Sequence, residues 1–290
     1  MKFPEIIKAD AFLETTVNKI KKDPNQKDVL YYINFVHNKL ADRLTHTYST
    51  LPDYSQMDEY YLLMSKNIVP ENILEKYKNH YFVTIHLINS ISEKYKRYVK
   101  RERNYPAKLK LKKEYLGRIK SILKKLDGTN EILIGFGKYF KAIPNPQKLF
   151  TVVLVGVPNT GKTTLLSQIT TADPEINSYS FTTKTLNFGY FKKREQIIQV
   201  VDTPGLIHDD FKDMNFIEKQ AIVAIKTLAD VIIFLYNQHQ GYDEQRKILD
   251  TIIDENSGKP IFVFPSFGGE MKDFQNITLE DILDKNFKEI

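Results

Sequence analysis

The sequence predicts an α/β domain, with a mostly parallel sheet and helices on both faces, preceded by an all-α helical bundle. Up to about residue 142, apolar residues recur at intervals of three and four, which is typical of amphipathic helices. From residue 147 onward, short apolar runs alternate with helical patterns, as in a parallel sheet. The stiff stretch Ile143-Pro144-Asn145-Pro146 separates the two parts. We therefore expect domains over residues 1–146 and 147–290.

Prolines and capping residues set the expected helix ends in the first domain. Asp23-Pro24 ends the first helix, because proline cannot continue it, and Asp28 is a suitable N-cap for the second. Pro70 suits the first turn of a long helix, and Asn104-Tyr105-Pro106 is expected to form a turn before the next long helix. The predicted helices cover residues 9–22, 28–50, 55–65, 71–102 and the stretch from the turn to about 126, with a short continuation to about 141.

The second domain is expected to begin with a buried strand and a helix. A hairpin, a helix, a strand, a further helix and a last strand follow, and ligands of such sheets bind at the carboxyl ends of the strands. The predicted segments are the strand 152–155, the helix from about 162, the hairpin strands 185–191 and 196–201, the helix 215–228, the strand 231–236, the helix 243–255 and the strand 261–264.

Composition narrows the class of protein. The chain of 290 residues is 42% hydrophobic and contains no cysteine, which excludes disulfides and thiolate metal sites. Its N-terminus has no apolar signal region, and no stretch approaches the roughly 18 apolar residues of a membrane helix. We therefore expect a soluble protein of the cytoplasm, without a membrane partner.

A phosphate-binding loop follows the first strand of the second domain. The spacing G-x-x-x-x-G-K-[ST] is met by Gly156-Val157-Pro158-Asn159-Thr160-Gly161-Lys162-Thr163-Thr164. Its glycines let backbone N–H groups converge on phosphate oxygens, and the helix that follows adds its positive N-terminal end. Lys162 is expected to contact the β- and γ-phosphates, and the Thr163 hydroxyl to bind Mg²⁺. This pattern predicts a nucleotide site.

A second motif completes the expected site. Asp202-Thr203-Pro204-Gly205 ends a strand about 40 residues after Lys162, where Asp202 can orient Mg²⁺ and the Gly205 N–H can touch a γ-phosphate. Phe181-Thr182-Thr183 lies between the motifs, and either threonine could complete the Mg²⁺ shell or simply start the next strand. Together the residues predict a switch in which residues 175–184 and 203–213 respond to the nucleotide.

Positive charge is concentrated in the first domain. Residues 91–125 contain fourteen Lys or Arg and three acidic residues, a net charge of +11, whereas the whole chain carries +6. Such a run is often only a solvated helical face. Because tyrosines are interleaved with the charges, we favour an anionic polymer partner, RNA first.

The motifs resemble those of the Obg-related GTPases, and within them the nucleolar GTP-binding protein (Nog) family of large-subunit ribosome assembly factors. The resemblance covers most of residues 1–260, including the run 98–125, and rests on the motifs above with Tyr179–Lys184 and Ile217–Ile222. It implies a P-loop GTPase domain that binds GTP or GDP with Mg²⁺. It also implies a helical domain that binds ribosomal RNA and large-subunit precursor particles, with no DNA partner. Since the sequence ends soon after the GTPase domain, it looks like a short archaeal-type form.

Residues of the Nog motifs carry over one by one. Thr183 matches the Mg²⁺-binding threonine, so the implied metal ligands are Thr163, Thr183 and Asp202, and the implied catalytic residues are Lys162, Thr183 and Gly205. Asn159 matches an asparagine that helps to bind K⁺ in related GTPases, which implies K⁺ as a further cofactor. Leu206 occupies the position of a water-orienting glutamine in Ras-like proteins, so we expect slow hydrolysis without an activator.

The guanine-reading motif departs from the family. The expected Asn-Lys-x-Asp is replaced by Pro265-Ser266-Phe267-Gly268, and the usual aspartate of the preceding strand is Asn237. Glu270 is either a substitute carboxylate or an ordinary solvated residue. Two alternatives to a GTPase therefore stay open: an RNA- or ribosome-binding protein whose nucleotide domain is structural, and a promiscuous NTPase.

Overall fold

A computed structural model of the chain describes residues 3–6, 8–170, 186–193, 195–210, 212–278 and 281–282. Backbone contacts divide the chain into two compact units. The first unit comprises Met1–Met57 and Ile68–Ile143, and the second comprises Asp58–Asn67 and Pro144–Ile290.

The described residues form helices first and then alternating strands and helices, which confirms the predicted fold class. The helices are α1 (Ala9–Ile20), α2 (Val29–Thr50), α3 (Glu59–Lys66), α4 (Glu71–Arg101), α5 (Tyr105–Lys124), α6 (Asp127–Ala142), α7 (Lys162–Ile169), α8 (Phe216–Thr227) and α9 (Tyr242–Glu255). The strands are β1 (Phe150–Val155), β2 (Asn187–Lys193), β3 (Gln196–Asp202), β4 (Val231–Tyr236) and β5 (Ile261–Pro265).

The first unit is a bundle whose long helices bury one stripe each. In α4 that stripe includes Leu74, Ile88 and Val99, and α4 packs against α2 and α5. Polar groups inside the bundle are paired, because an unpaired buried donor or acceptor is costly. The buried hydroxyls of Ser92 and Tyr115 lie 3.0 Å apart and form one such hydrogen bond.

The start of α5 differs from the sequence prediction, whereas the break after it agrees. Pro106 lies inside the first turn of α5, where its missing N–H costs nothing, and the Asn104 side chain accepts from the N–H of Ala107. The helical continuation expected to about residue 141 is present as a separate helix of 16 residues, α6, which Lys125 and Leu126, both in the right-handed helical conformation, join to α5. Burial of apolar residues such as Phe136 on the bundle explains the length of α6.

The sheet of the second unit has the strand order β2-β3-β1-β4-β5. All neighbours are parallel except β2 and β3, which form the predicted hairpin. Residues Val152–Val155 of β1 are fully buried, and Val152 and Leu154 share a core cluster with Leu165 and Ile169 of α7. The carboxyl ends of β1 and β3 therefore lie side by side, which brings the two sequence motifs together.

Helix α3 belongs to the second unit although it precedes the predicted boundary after residue 146. It packs against α8, and the Tyr61 hydroxyl donates to the Asn145 side chain at 2.6 Å. Local periodicity carries no information about such distant partners. The boundary itself stays a prediction.

Across the residues that are described, no helix combines the length and apolarity needed to cross a bilayer.

Candidate functional site

The loop between β1 and α7 has the backbone conformation of a phosphate-binding loop. Gly156, Asn159 and Gly161 all have positive φ, at 149°, 62° and 82°. A Cβ at Gly156 would lie 2.6 Å from the Leu235 carbonyl oxygen, so a side chain is excluded there. The loop thus curls as the glycine spacing predicts, and α7 begins at Lys162.

Lys162 is folded underneath this loop. Its side chain is 6% exposed, and Nζ donates to the carbonyl oxygens of Gly156 at 3.0 Å and Val157 at 2.8 Å. Burial lowers the pKa of Lys162 to about 8, although the nearby Asp202 carboxylate acts in the opposite direction. A buried positive charge held by neutral acceptors at the base of the loop favours an anionic ligand.

Thr163 and Asp202 meet at the adjacent strand end. The Thr163 hydroxyl donates to Oδ2 of Asp202 at 2.7 Å, and the Asn187 amide donates to the same oxygen at 3.2 Å. Burial raises the pKa of Asp202, opposed by these two hydrogen bonds and by Lys162. Oδ1 of Asp202 is buried without a hydrogen-bond partner. A hydroxyl beside a carboxylate oxygen that lacks a partner fits Mg²⁺, which prefers oxygen ligands.

Gly205 brings the second motif against the phosphate loop. A Cβ on Gly205 would lie 2.6 Å from the backbone nitrogen of Pro158, so only glycine permits this approach. The contact is reinforced by the Leu206 N–H, which donates to the Gly156 carbonyl at 3.1 Å. The two motifs therefore form one surface.

A cavity of about 610 Å³ opens between the motifs. The lining residues that the sequence analysis predicted for the site are Pro158, Asn159, Thr160, Gly161, Lys162, Thr163, Thr164, Asp202, Thr203, Pro204 and Gly205. Gly156 and Val157 lie beneath it and contribute the carbonyls that hold Lys162. Phe181, Thr182 and Thr183 lie outside the described residues. Lining residues that the sequence analysis did not assign to the nucleotide site are Asn187, Ile207, Asn215, Ile217, Glu218 and Phe267.

Glu218 anchors the segment after Gly205. Its carboxylate is buried and accepts from the N–H groups of Ile207 at 2.8 Å, His208 at 3.0 Å and Asn215 at 3.0 Å. Burial alone would raise the pKa of Glu218, but these backbone donors lower it overall. Asn215 and Glu218 form a capping box at the start of α8, and the Asn-x-x-Glu spacing was a signal for it.

Leu206 is fully buried and does not line the phosphate cavity. It lines a smaller cavity with Met214 and Ile222. Its neighbour Ile207 is 62% exposed and lines the phosphate cavity instead. At this point of the chain, apolar side chains replace any group that could orient water.

The end of β5 shows what replaces the guanine-reading motif. Phe267 lines the cavity, and Gly268 and Gly269 adopt positive φ of 80° and 79°. Asn237 is buried, and its side-chain oxygen accepts from the His239 N–H at 2.9 Å, so it shapes a loop. Glu270 is exposed and is absent from the described lining of the cavity.

The glycine-bracketed loop, the buried lysine and the Thr163–Asp202 pair at the carboxyl ends of a mostly parallel sheet define a P-loop protein of the GTPase class.

Comparison with known proteins gives the family. Residues 5–145 match the family described as NOG1 N-terminal helical domain, and residues 151–265 match the one described as 50S ribosome-binding GTPase. An uncharacterised protein of Methanocaldococcus jannaschii is 31% identical over 270 residues, covering 87% of this chain and 76% of that protein. Nucleolar GTP-binding protein 1 of Caenorhabditis elegans is 30% identical over 244 residues, covering 80% of this chain and 35% of that protein.

The chain belongs to the nucleolar GTP-binding protein (Nog) family. It spans about a third of the length of the nematode relative. The crystal structure of a putative nucleolar GTP-binding protein 1 from Plasmodium falciparum is 26% identical and covers 42% of this chain and 62% of that one. The TM-score of this match is 0.34.

We predict that Glu218→Gln loosens the segment 206–215. The amide offers one acceptor oxygen where the carboxylate offers two, so the backbone N–H groups of Ile207, His208 and Asn215 lose part of their partner. Their hydrogen exchange should speed up by roughly tenfold or more, since a hydrogen bond to a charged group contributes about 1.5–3 kcal/mol. Asp254→Asn on the exposed face of α9 is the control, and equal exchange in both variants would contradict the anchoring role.

Proposed function

We propose that the protein is a GTP-binding factor of large-subunit ribosome assembly, which binds GTP or GDP in the cavity and ribosomal RNA through its helical unit. The observation that carries the nucleotide part is the convergence of Lys162, Thr163 and Asp202 on one cavity beside a glycine-bracketed loop. The family membership supports the choice of GTP. We propose the cytoplasm as its location.

Mg²⁺ is the metal that we propose for this cavity. Bound by Thr163 and Asp202, with Thr183 from the neighbouring motif, it would neutralise charge on the β- and γ-phosphates. In this proposal Lys162 binds the same phosphates, and the Gly205 backbone N–H touches the γ-phosphate. Oδ1 of Asp202, buried without a partner, supports this assignment.

We propose slow hydrolysis that depends on an activator. Leu206 is buried away from the cavity and Ile207 has no polar atom in its side chain, so neither side chain can orient the attacking water. K⁺ near Asn159, which has positive φ and lines the cavity, is our proposed source of part of the missing charge stabilisation.

RNA binding is proposed for the basic surface of α4 and α5, the helices that carry residues 91–125. Lys110 and Lys113 are exposed and Lys108 is half-buried. Lys112 differs, because its ammonium lies 3.6 Å from the centre of the Tyr32 ring and burial lowers its pKa. Lys112 thus stabilises the bundle through a cation–π contact, and Lys108, Lys110 and Lys113 are the better candidates for phosphate contacts.

A structural nucleotide domain remains the second candidate. The loss of Asn-Lys-x-Asp after β5 favours it, because that motif supplies the carboxylate that binds guanine. The retained phosphate and Mg²⁺ groups favour a working site, and we prefer that reading.

We predict that GTP and GDP bind with Mg²⁺ and that Lys162→Ala weakens binding by at least about a hundredfold. The variant removes charge-assisted hydrogen bonds to two phosphates, together worth about 3 kcal/mol. Fluorescent nucleotide titration measures the dissociation constants. Lys247→Ala, an exposed lysine of α9, is the matched control. Lack of binding by the unmodified protein at micromolar concentration would instead support the structural domain.

We predict that RNA affinity falls steeply with salt and that neutralising Lys108, Lys110 and Lys113 flattens the dependence. Each lost phosphate contact should reduce the slope of log affinity against log salt by roughly 0.7–0.9, so three should reduce it by about 2–3. A large-subunit ribosomal RNA transcript is the probe.

The control for this RNA experiment neutralises Lys19, Lys21 and Lys22, which are exposed in the same unit and make the same change in net charge. The same slope for both triple variants would mean that the basic surface is only solvated.

A further inference from the structure

The strand order orients any nucleotide in the cavity. Asp202 ends β3, the phosphate loop follows β1, and residues 266–269 follow β5 at the far edge of the sheet. A ligand that lies along these strand ends, with its metal-bound phosphate at Asp202, directs its base toward β5. Phe267 is the residue of that edge that lines the cavity.

The Phe267 ring lies beside the phosphate loop and is open to the cavity. A Cβ built on Gly161 would be 3.8 Å from the Ser266 Cβ and 4.0 Å from Cε2 of Phe267. The side chain is nevertheless 49% exposed, which is unusual for a large apolar ring in a concave site. His239 lies edge-on to the ring, with the ring centres 6.4 Å apart. About half of the Phe267 side chain is therefore open to a flat ligand.

Two glutamines fix the backbone around this ring. The Gln238 amide donates to the Phe267 carbonyl at 2.8 Å, and a Cβ on Gly269 would lie 2.6 Å from the Gln238 side-chain oxygen. The Gln240 amide donates to the Pro158 carbonyl at 3.1 Å, which links the same loop to the phosphate loop. A backbone that is positioned in advance loses little entropy when a ligand stacks on the side chain that it carries.

The described part of the chain places no carboxylate for guanine at this end of the cavity. Among the described lining residues, the acidic ones are Asp202 and Glu218. Asp202 serves the metal end, and Glu218 is occupied by three backbone N–H groups. Among the described lining residues, therefore, no free carboxylate lies beside Phe267 to accept from guanine N1–H and the exocyclic amine.

We infer that Phe267 is the base-binding residue and that the site takes nucleoside triphosphates carrying either purine, with the base held by stacking. This inference rests on the proposed nucleotide function and names its substrate class. Stacking uses the face that every base has, so it binds without distinguishing guanine from adenine. Affinity then comes from the phosphates and Mg²⁺, with the ring adding a share common to both purines.

Competition binding with Mg²⁺ and three ligands tests the inference: GTP, ATP and inorganic tripolyphosphate, which has the phosphates without a base. The variants are Phe267→Ala, which removes the ring, and Phe267→Trp, which keeps an aromatic surface. Ile207→Ala is the matched control, because it truncates an exposed apolar side chain at the opposite end of the same cavity. Lys162→Ala reports on the phosphate site.

We expect GTP and ATP to bind within about threefold of each other. Phe267→Ala should weaken both by roughly tenfold and leave tripolyphosphate unchanged, and Phe267→Trp should keep the affinity of the unmodified protein. Ile207→Ala should leave the ratio of nucleotide to tripolyphosphate affinity as it is.

Two results would overturn the inference alone: a preference for GTP of about a hundredfold or more, or no selective loss of nucleotides in Phe267→Ala. In either case, tripolyphosphate binding that Lys162→Ala abolishes would still uphold the phosphate site. Binding of none of the three ligands would overturn the inference and the proposed function together.

Discussion

The second unit depends on the hydrogen bonds that the buried Lys162 ammonium donates to the phosphate loop. Two carbonyl oxygens of the phosphate loop accept its hydrogen bonds, so the loop must curl over it. That curl requires positive φ at Gly156 and Gly161, and it leaves no room for a side chain at Gly156 or Gly205. The charge is largely desolvated, and a carboxylate nearby, an anionic ligand above it, or both must offset that cost. Asp202 supplies the carboxylate, and the cavity has room for an anionic ligand.

The same geometry explains why the phosphate end of the site could be predicted from the sequence and the opposite end could not. Backbone N–H groups and a lysine bind phosphate only in one loop conformation, so the spacing from Gly156 to Thr163 specifies both the local structure and its chemistry. Phe267 belongs to no such spacing. Its position depends on Gln238 and on the sheet order, neither of which the local sequence around it contains. Glu218 is an intermediate case. The Asn-x-x-Glu spacing in the sequence is a signal for its capping box, but nothing in the sequence indicates that it binds the loop amides.

The periodicity of apolar residues predicted the helices and strands, but it did not predict their packing partners. Residues Val152–Val155 are apolar throughout and form a strand that is buried on both faces, as expected of a central parallel strand. Helix α3 has an ordinary amphipathic pattern, and its membership of the second unit is set by contacts with α8, far away in the sequence. Lys112 shows the limit for charge patterns, since a lysine within a basic run proves to lie over the Tyr32 ring. Composition gives the sign of the charge on a surface, and only the packing shows which charged groups reach solvent.

The most direct test of a working nucleotide site is the Mg²⁺ dependence of nucleotide affinity in the unmodified protein and in Asp202→Asn. Asp202 holds the Thr163 hydroxyl and has a buried oxygen without a partner, so removing its charge should remove the metal's contribution while Lys162 still binds phosphate. We expect Mg²⁺ to tighten GTP binding by roughly tenfold or more in the unmodified protein and by less than about threefold in the variant. The surface variant Asp254→Asn should keep the full effect. Equal Mg²⁺ dependence in all three proteins, or none in the unmodified protein, would contradict this account of the site.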